Sequence, residues 1–524
     1  MARRMRRLHA VSPVLQAALL ALAVLAAPGA HAARPLPPSG AAAAAAGPTA
    51  TAPNFVVVLA DNLDSRTSPV WEAMSRTKAL LADKGVSFTN AFAPTPICCP
   101  ARASLLTGKY GHNTGVLTNG GEQGGWKTFA AGGNEEHTFA RHLHDAGWRT
   151  GMYGKYLNDI EEDPGHIPPG WDDWHVPVDA ANQQYTGYGY TLNENGTLVG
   201  YGDQPEDYLT DVLAAKAEAF IRAGEATDEQ PFLLHVTPTA PHQPLPPAPR
   251  HTDHPFADAT APHLPNFQEA DLSDKPAWLQ TSGDRRAQQV ERHNDSDYRD
   301  RMGSLYALDE LVEQVVRTLE ETGELDRTYL VFTSDNGYNL GAHRLHHMMV
   351  PYEESLRIPL LVAGPGVVPG RVEGRAALLI DLAPTLLELA GLPVPDDVDG
   401  RSLVPLLRGE DPPGWRTDFV AQYAGGALGQ GVEQEQVASV AGQLAGDVPA
   451  YRALRGQRWL YVEWNDPLWK PPVEERELYD LQADPYQLGN LLATPEGSER
   501  YAPLVAVLER RLEQLASCAG ASCH

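Results

Sequence analysis

Basic residues are scarce in this 524-residue chain: 41 Lys plus Arg stand against 67 Asp plus Glu. A formal charge of −26 excludes a broad polyanion-binding surface, so no nucleic-acid partner is expected. Cysteine is rarer still, at four residues, which excludes a scaffold held by disulfides. Beyond the N-terminus no apolar run approaches the ~20 residues that a membrane helix needs, so no span is expected after processing. The hydrophobic fraction of 43% and charged fraction of 21% are ordinary for globular chains, and exclude a mainly disordered one.

The N-terminus has the three parts of a signal peptide. Arg3, Arg4, Arg6 and Arg7 precede an apolar stretch from Ala17 to Ala27, and Ala30-His31-Ala32 offers a cleavage site. Residues 1–32 are therefore expected to be removed, placing the mature protein in a secreted or extracytoplasmic location. Without those four arginines, 37 basic residues face 67 acidic ones. Residues 33–53, rich in Ala, Pro and Gly, read as a flexible linker. Folded sequence is expected in two parts, a catalytic domain over 54–411 and a C-terminal subdomain over 412–524.

Short β-branched runs alternate with amphipathic segments. Asn54–Ala60, Trp148–Tyr153, Phe232–Val236 and Tyr329–Thr333 read as buried strands. Pro69–Lys84, Thr138–Ala146 and Asp300–Glu321 read as helices. The fold class this predicts is α/β: a large, mostly parallel sheet flanked by helices. Arg452–Asn465 alternates like a hairpin turning at Gly456, and Tyr501–Ala516 reads as a helix, giving a small C-terminal antiparallel sheet plus helix. Cys518 and Cys523, five apart, are expected to form a local disulfide, with two exposed thiols the alternative.

In such sheets ligands bind beyond the carboxyl ends of the strands. Here those ends carry Asp61-Asn62, Lys155, His242 and Asp335-Asn336. Each alone also reads as a turn former or a surface residue. Pro96-Ile97-Cys98-Cys99-Pro100-Ala101-Arg102 puts two cysteines where Pro100 can open a helix, whose N-terminus favours an anion. Spacing leaves two readings open: a nucleophile beside an anion site, or a pair of buried or vicinally bonded thiols.

Cys98-x-Pro100-x-Arg102 followed by Leu106-Thr107-Gly108 resembles the sulfatase motif, and its wording is most similar to the N-acetylglucosamine-6-sulfatase branch. Gly154-Lys155-Tyr156, Asp335-Asn336-Gly337, Tyr352 to Pro359 and Glu477 to Leu481 follow in the family's order. The resemblance implies an exported enzyme hydrolysing sulfate monoesters, with sulfated small molecules or glycans as substrates. It also implies that a separate maturation enzyme oxidises Cys98 to Cα-formylglycine, whose hydrate attacks sulfur. It implies one Ca2+, held by the oxygen-rich set Asp61, Asn62, Asp335 and Asn336 with the modified Cys98. Arg102 would support the formylglycine, Lys155 would contact sulfate, and His242 would bind sulfate or protonate the leaving oxygen.

Some positions depart from the family's pattern. Asn62 stands where two successive aspartates are usual, and Met348 where many members carry a sulfate-binding lysine. His343 is a candidate to replace that lysine's contact, and His112 is placed as a substrate contact or as loop packing. His343, His346 and His347 have helical metal spacing, but with no carboxylate evident nearby they read as a solvated loop. Two further functions remain open: a phosphate or phosphonate monoester hydrolase of the same superfamily, and a non-catalytic sulfated-glycan binder. Residues 159–203 and 244–297 carry no legible pattern.

Overall fold

Strand β1 (Asn54–Ala60) is apolar along its whole length because both of its faces are covered. Phe55, Val57 and Leu59 enter one hydrophobic cluster, and Val56, Val58 and Ala60 enter another on the opposite face. The computed structural model describes residues 52–66, 68–225, 230–425, 448–464, 473 and 475–524. The expected signal segment, and all of the expected linker except its last two residues, lie outside these.

The remaining strands of the main sheet are β2 (Val86–Phe92), β3 (Arg149–Gly154), β4 (Asp173–Pro177), β5 (Thr191–Glu194), β6 (Thr197–Gly200), β7 (Phe232–Thr237) and β8 (Thr328–Ser334). After a two-stranded ribbon, β9 (Asn339–Leu340) and β10 (His346–His347), come β11 (Arg357–Ala363), β12 (Arg371–Glu373) and β13 (Ala377–Leu378). The main sheet has eleven strands in the order β12-β2-β11-β8-β1-β7-β3-β4-β5-β6, with β13 beside β2. Its centre, β8-β1-β7-β3-β4, is parallel, while β11 and the β4-β5-β6 meander pair antiparallel. The expected α/β class holds, as a mixed sheet flanked by helices.

The helices that position the site are α1 (Cys98–Thr107), α2 (Phe139–Asp145), α3 (Leu209–Glu225) and α4 (Ala277–Glu321). Thr138 caps α2 by accepting a hydrogen bond from the Arg141 amide, as its sequence position suggests. The segment expected to be one helix over 69–84 is instead broken at Met74 and continues as a π-helical turn, Lys78–Ala82. Helix α4 starts well before the expected Asp300. Its first half buries polar residues such as Arg286, Gln289 and Asn294, so the apolar periodicity that marks a helix is missing there. The illegible stretch 159–203 holds β4, β5 and β6.

A four-stranded antiparallel sheet, β14 (Asp418–Tyr423), β15 (Tyr451–Gly456), β16 (Trp459–Trp464) and β17 (Glu475–Asp480), forms the C-terminal layer. The hairpin over β15 and β16 is the expected one. Helix α5 (Pro495–Ala516) packs on this sheet through Val505, Leu512 and Leu515. Cys518 and Cys523 are disulfide-bonded.

Candidate active site

The carboxyl ends of β1, β3, β7 and β8 converge on the N-terminus of α1. At the end of β1, Asp61 donates its amide to Ala240 O at 3.1 Å. Asn62, at φ 64°, donates its amide to Asp335 Oδ1 at 3.0 Å. Asn tolerates this left-handed backbone better than most residues. Gly154, at φ 109°, makes the corresponding turn at the end of β3, and the next amide, Lys155 N, donates to Thr237 O at 2.8 Å.

Helix α1 begins with the two cysteines, which are not bonded to each other. They face opposite ways. Cys99 packs in the main core, where burial pushes its thiol up to about 12, so it is chemically inert near neutral pH. Cys98 Sγ lies 3.7 Å from Asp61 Oδ1 and 3.8 Å from Asn62 Oδ1. The two readings of the pair therefore divide between its members. One cysteine is structural and the other faces acidic oxygens.

Arg102, one turn along α1, ties the cluster together. Its Nε donates to Asp335 Oδ2 at 2.9 Å, one terminal nitrogen donates to the Lys155 carbonyl at 2.6 Å, and the other lies 3.4 Å from Asp61 Oδ2. Lys155 Nζ donates to Asp61 Oδ2 at 2.8 Å. Burial alone would raise the Asp61 carboxyl, but Lys155, His242 and Arg102 outweigh it and hold it at about 2. Burial likewise opposes charge on Lys155, yet Asp61 keeps it firmly cationic. Asp335 is shifted upward by burial and by the neighbouring Asp61 carboxylate.

The donor set fits a hard divalent cation. Asn336 Nδ2 donates to Asn62 Oδ1 at 2.6 Å, while Asn336 Oδ1 is buried without a hydrogen-bond partner. An orphaned amide oxygen beside two carboxylates is a donor of the hard type that divalent cations such as Ca2+ or Mg2+ take. Asp61, Cys98 and His242 also bring one ligand atom each to within 4.8 Å of one another.

His242 sits in the loop after β7, with its Nδ1 against the Gln243 carbonyl and its ring 4.3 Å from that of Tyr185. Burial, only partly offset by Asp61, pushes its pKa down to about 4. It is therefore neutral at pH 7, whereas an acid of near-neutral pKa was expected.

Eight expected site residues thus come together: Asp61, Asn62, Cys98, Arg102, Lys155, His242, Asp335 and Asn336. Two have other partners. His112 bonds to Gln422 and to the Cys518 carbonyl at 3.1 Å, which is loop packing against the C-terminal layer. His343 Nδ1 lies 2.5 Å from Glu269 Oε2 and its Nε2 contacts Asn266 at 3.3 Å, inside the protein. The histidine segment is neither helical nor solvated. His343 and His346 are buried, and carboxylates reach both from 244–297, sequence positions that gave no signal.

Sequence reading missed Tyr185 and Arg301. The Tyr185 ring lies beneath Lys155 Nζ at 5.0 Å as well as against His242. Arg301, on α4, donates to the Asn62 carbonyl at 2.6 Å and to Pro241 O at 3.2 Å, bracing two site loops at once. In the sequence it stands only as one basic residue in the segment read as a helix from Asp300 to Glu321.

Comparisons with known proteins agree with this geometry. The profile of the Sulfatase family matches residues 53–392. An N-acetylglucosamine-6-sulfatase of Capra hircus is 33% identical over 90% of this chain and 85% of its own length. An extracellular sulfatase SULF-1 homolog of Drosophila melanogaster is 38% identical over 68% of this chain, which spans only 31% of that longer protein. Among solved structures, one in complex with its substrate D-glucosamine-2-N,6-O-disulfate superposes with a TM-score of 0.67 at 24% identity, covering 88% of this chain and 98% of its own. A phosphonate monoester hydrolase of Silicibacter pomeroyi gives 0.66 at 22% identity over 88% and 96%. The chain belongs to the sulfatase family, and its reaction is the hydrolysis of a sulfuric ester.

Proposed function

We propose that this protein is an exported sulfatase acting on sulfate monoesters of amino sugars, with Cys98 matured to formylglycine and a divalent cation, Ca2+ by the hardness of the donors, at the Asp61 cluster. The observation that carries the reading is the place of Cys98. It lies at a helix N-terminus, within 4 Å of Asp61 and Asn62, with Arg102 and Lys155 beside those oxygens.

The cation and the formylglycine hydrate supply an activated oxygen nucleophile and charge stabilisation at the sulfuryl group. The chain's own residues do the rest. Asp61, Asn62, Asp335 and Asn336 would hold the cation through their side-chain oxygens. Arg102 locks Asp335 and the Lys155 carbonyl in register, so the ligands and the lysine keep one geometry. Lys155 adds a fixed positive charge for the sulfuryl oxygens. His242 is neutral in the free enzyme. An anionic ester beside it would raise its proton affinity, which suits proton transfer to the departing alcohol oxygen.

The amino-sugar substrate is supported by the 33% identity to an N-acetylglucosamine-6-sulfatase. Export is supported by the composition of residues 1–32 and by the likeness to an extracellular sulfatase homolog. Among the described residues no helix is long and apolar enough to cross a membrane. The fold is common to sulfatases and a phosphonate hydrolase, so it does not choose between sulfate and phosphonate. The family membership favours sulfate.

The test is to produce the chain in a host that matures sulfatases, and to analyse the Cys98 peptide by mass spectrometry. Turnover of N-acetylglucosamine 6-sulfate, an aryl sulfate and a phosphonate monoester would be measured alongside. Formylglycine with sulfate esters preferred is the expected result. An unmodified thiol, or faster phosphonate turnover, would overturn the reading.

A further inference from the structure

Tyr185 contacts both side chains that are proposed to serve the ester, Lys155 and His242. It ends the short 3-10 turn Gln183–Tyr185, which Asn182 opens at φ 54°. Thr239 Oγ1, in the loop that carries His242, donates to the Gln184 carbonyl at 3.0 Å. The turn is thereby fastened to that loop one residue away from Tyr185. Tyr185 is 3% exposed, and its ring centroid stands 4.3 Å from that of His242 and 5.0 Å from Lys155 Nζ. Lys155, Tyr185, Asn158 and Gln184 line one small cavity of about 20 Å³, so the ring forms part of the wall beside the lysine.

Each of the two groups has a firm bond and a remaining freedom. Lys155 Nζ is held by Asp61 Oδ2 at 2.8 Å, but an ammonium on a long flexible stem can swing about such a bond. The face of a buried aromatic ring attracts the ammonium and narrows that swing. His242 is tied through Nδ1 to the Gln243 carbonyl, and Arg301 holds the backbone nearby by donating to Pro241 O at 3.2 Å. A bond in the plane of the imidazole leaves the ring able to rock out of that plane. The Tyr185 ring, inclined to it at 33°, packs against it and opposes the rocking.

We infer that Tyr185 is a positioning residue for sulfuric ester hydrolysis: its one aromatic ring fixes both the Lys155 ammonium, which receives the sulfuryl oxygens, and the His242 imidazole, which serves the leaving oxygen. The two groups are thereby aimed at a single bound ester. The inference rests on the roles proposed above for Lys155 and His242. It has a consequence that depends on the leaving group. As the S–O bond breaks, its electron pair passes to the departing oxygen. A sugar alkoxide needs a proton at that moment, whereas nitrophenolate is a stable anion and needs little help. Loss of the ring should therefore cost a sugar sulfate more than a nitrophenyl sulfate. A ring that only filled space would cost both alike.

The test compares the matured, calcium-loaded wild-type enzyme with Tyr185→Leu, which removes the aromatic face, and Tyr185→Phe, which keeps it. Tyr185→Met takes the place of Tyr185→Leu if the urea midpoint shows that the leucine variant does not fold. Values of kcat/KM would be measured for N-acetylglucosamine 6-sulfate and for nitrophenyl sulfate, and the Kd of inorganic sulfate by calorimetry. In Tyr185→Leu the sugar ester is expected to lose roughly 10- to 100-fold, the effect of a displaced catalytic group. The nitrophenyl ester should lose about threefold to tenfold, and inorganic sulfate should bind about threefold to tenfold more weakly, the size of one buried cation–π contact. Tyr185→Phe should recover most of each loss. Equal losses on the two esters, no loss on either, or a phenylalanine variant as impaired as the leucine one would overturn the inference while leaving sulfatase turnover in place. A wild-type enzyme that turns over neither ester would remove the proposed function, and this inference with it.

Discussion

At the residue scale the proposed site is a balance of buried charge. Lys155 and Arg102 offset Asp61 and Asp335, and each charge is held by the others rather than by water. Replacing Lys155 with Met leaves Asp61 without its closest cation. The expected outcome is a fall in kcat/KM of roughly 10² to 10³. A stability loss of about 3–5 kcal/mol, read by urea unfolding, should accompany it. Asn62 removes one negative charge from a set in which two aspartates are usual, and its amide is used structurally as an acceptor from Asn336. Asn62→Asp should therefore lower the Tm in a chelator, through repulsion from Asp61 and Asp335. It should also tighten Ca2+ binding by about tenfold, measured as the Tm rise on calcium titration. Equal calcium responses in the two proteins would count against metal ligation at this position. Met348 is buried and belongs to the apolar cluster that also includes Ile97, Cys98 and Tyr110.

At the scale of elements, the strand ends decide which residues meet. Gly154 lets β3 turn beside β7, and a Cβ there would lie 2.2 Å from the Thr237 carbonyl. Gly154→Ala should break the Lys155–Thr237 bond and displace Lys155, costing roughly 1–3 kcal/mol and more activity than stability. Comparing kcat/KM with the urea midpoint checks this. Strand β7 also carries His235 inside the sheet, its Nδ1 against Val57 O at 3.2 Å, and burial pushes its pKa down to about 3. Its folded-state pKa is below the unfolded one, so the unfolded chain binds the proton first. Stability from this neutral histidine is complete above about pH 6.5 and is lost as pH falls toward 3. His235→Asn should flatten that part of the stability-pH curve, measured by urea unfolding at pH 7 and pH 5. Central strands and capped helices were legible because burial on both faces and Thr138 leave plain patterns. The start of α4 and the β4-β5-β6 meander were not, since polar residues buried through specific partners erase periodicity.

On the scale of the whole molecule, the C-terminal layer is joined to the main sheet through buried ion pairs. Glu353, next to Tyr352, accepts from Arg455 of β15 at 2.9 and 3.1 Å and from Arg357 of β11 at 2.6 and 3.0 Å. A cavity of about 410 Å³ opens beside it, lined also by Arg66 from the loop that follows Asn62. Glu353→Ala strands the buried Arg455 guanidinium and takes one partner from the half-buried Arg357, and a loss of roughly 3–5 kcal/mol in urea unfolding is the expected result. A loss under about 1 kcal/mol would show that the junction is held by apolar packing instead. The order of motifs along the chain, the α/β class and the candidacy of the eight clustered residues were legible in the sequence alone, because strand ends, a Pro-led helix start and oxygen-bearing side chains are local signatures. Tertiary structure alone decided that Cys98 faces the Asp61 and Asn62 oxygens and Cys99 the core, that His112 and His343 are engaged elsewhere, and that Tyr185 and Arg301 border the cluster. Those outcomes depend on which distant side chain arrives beside each group, and no local pattern records a partner that lies a hundred residues away.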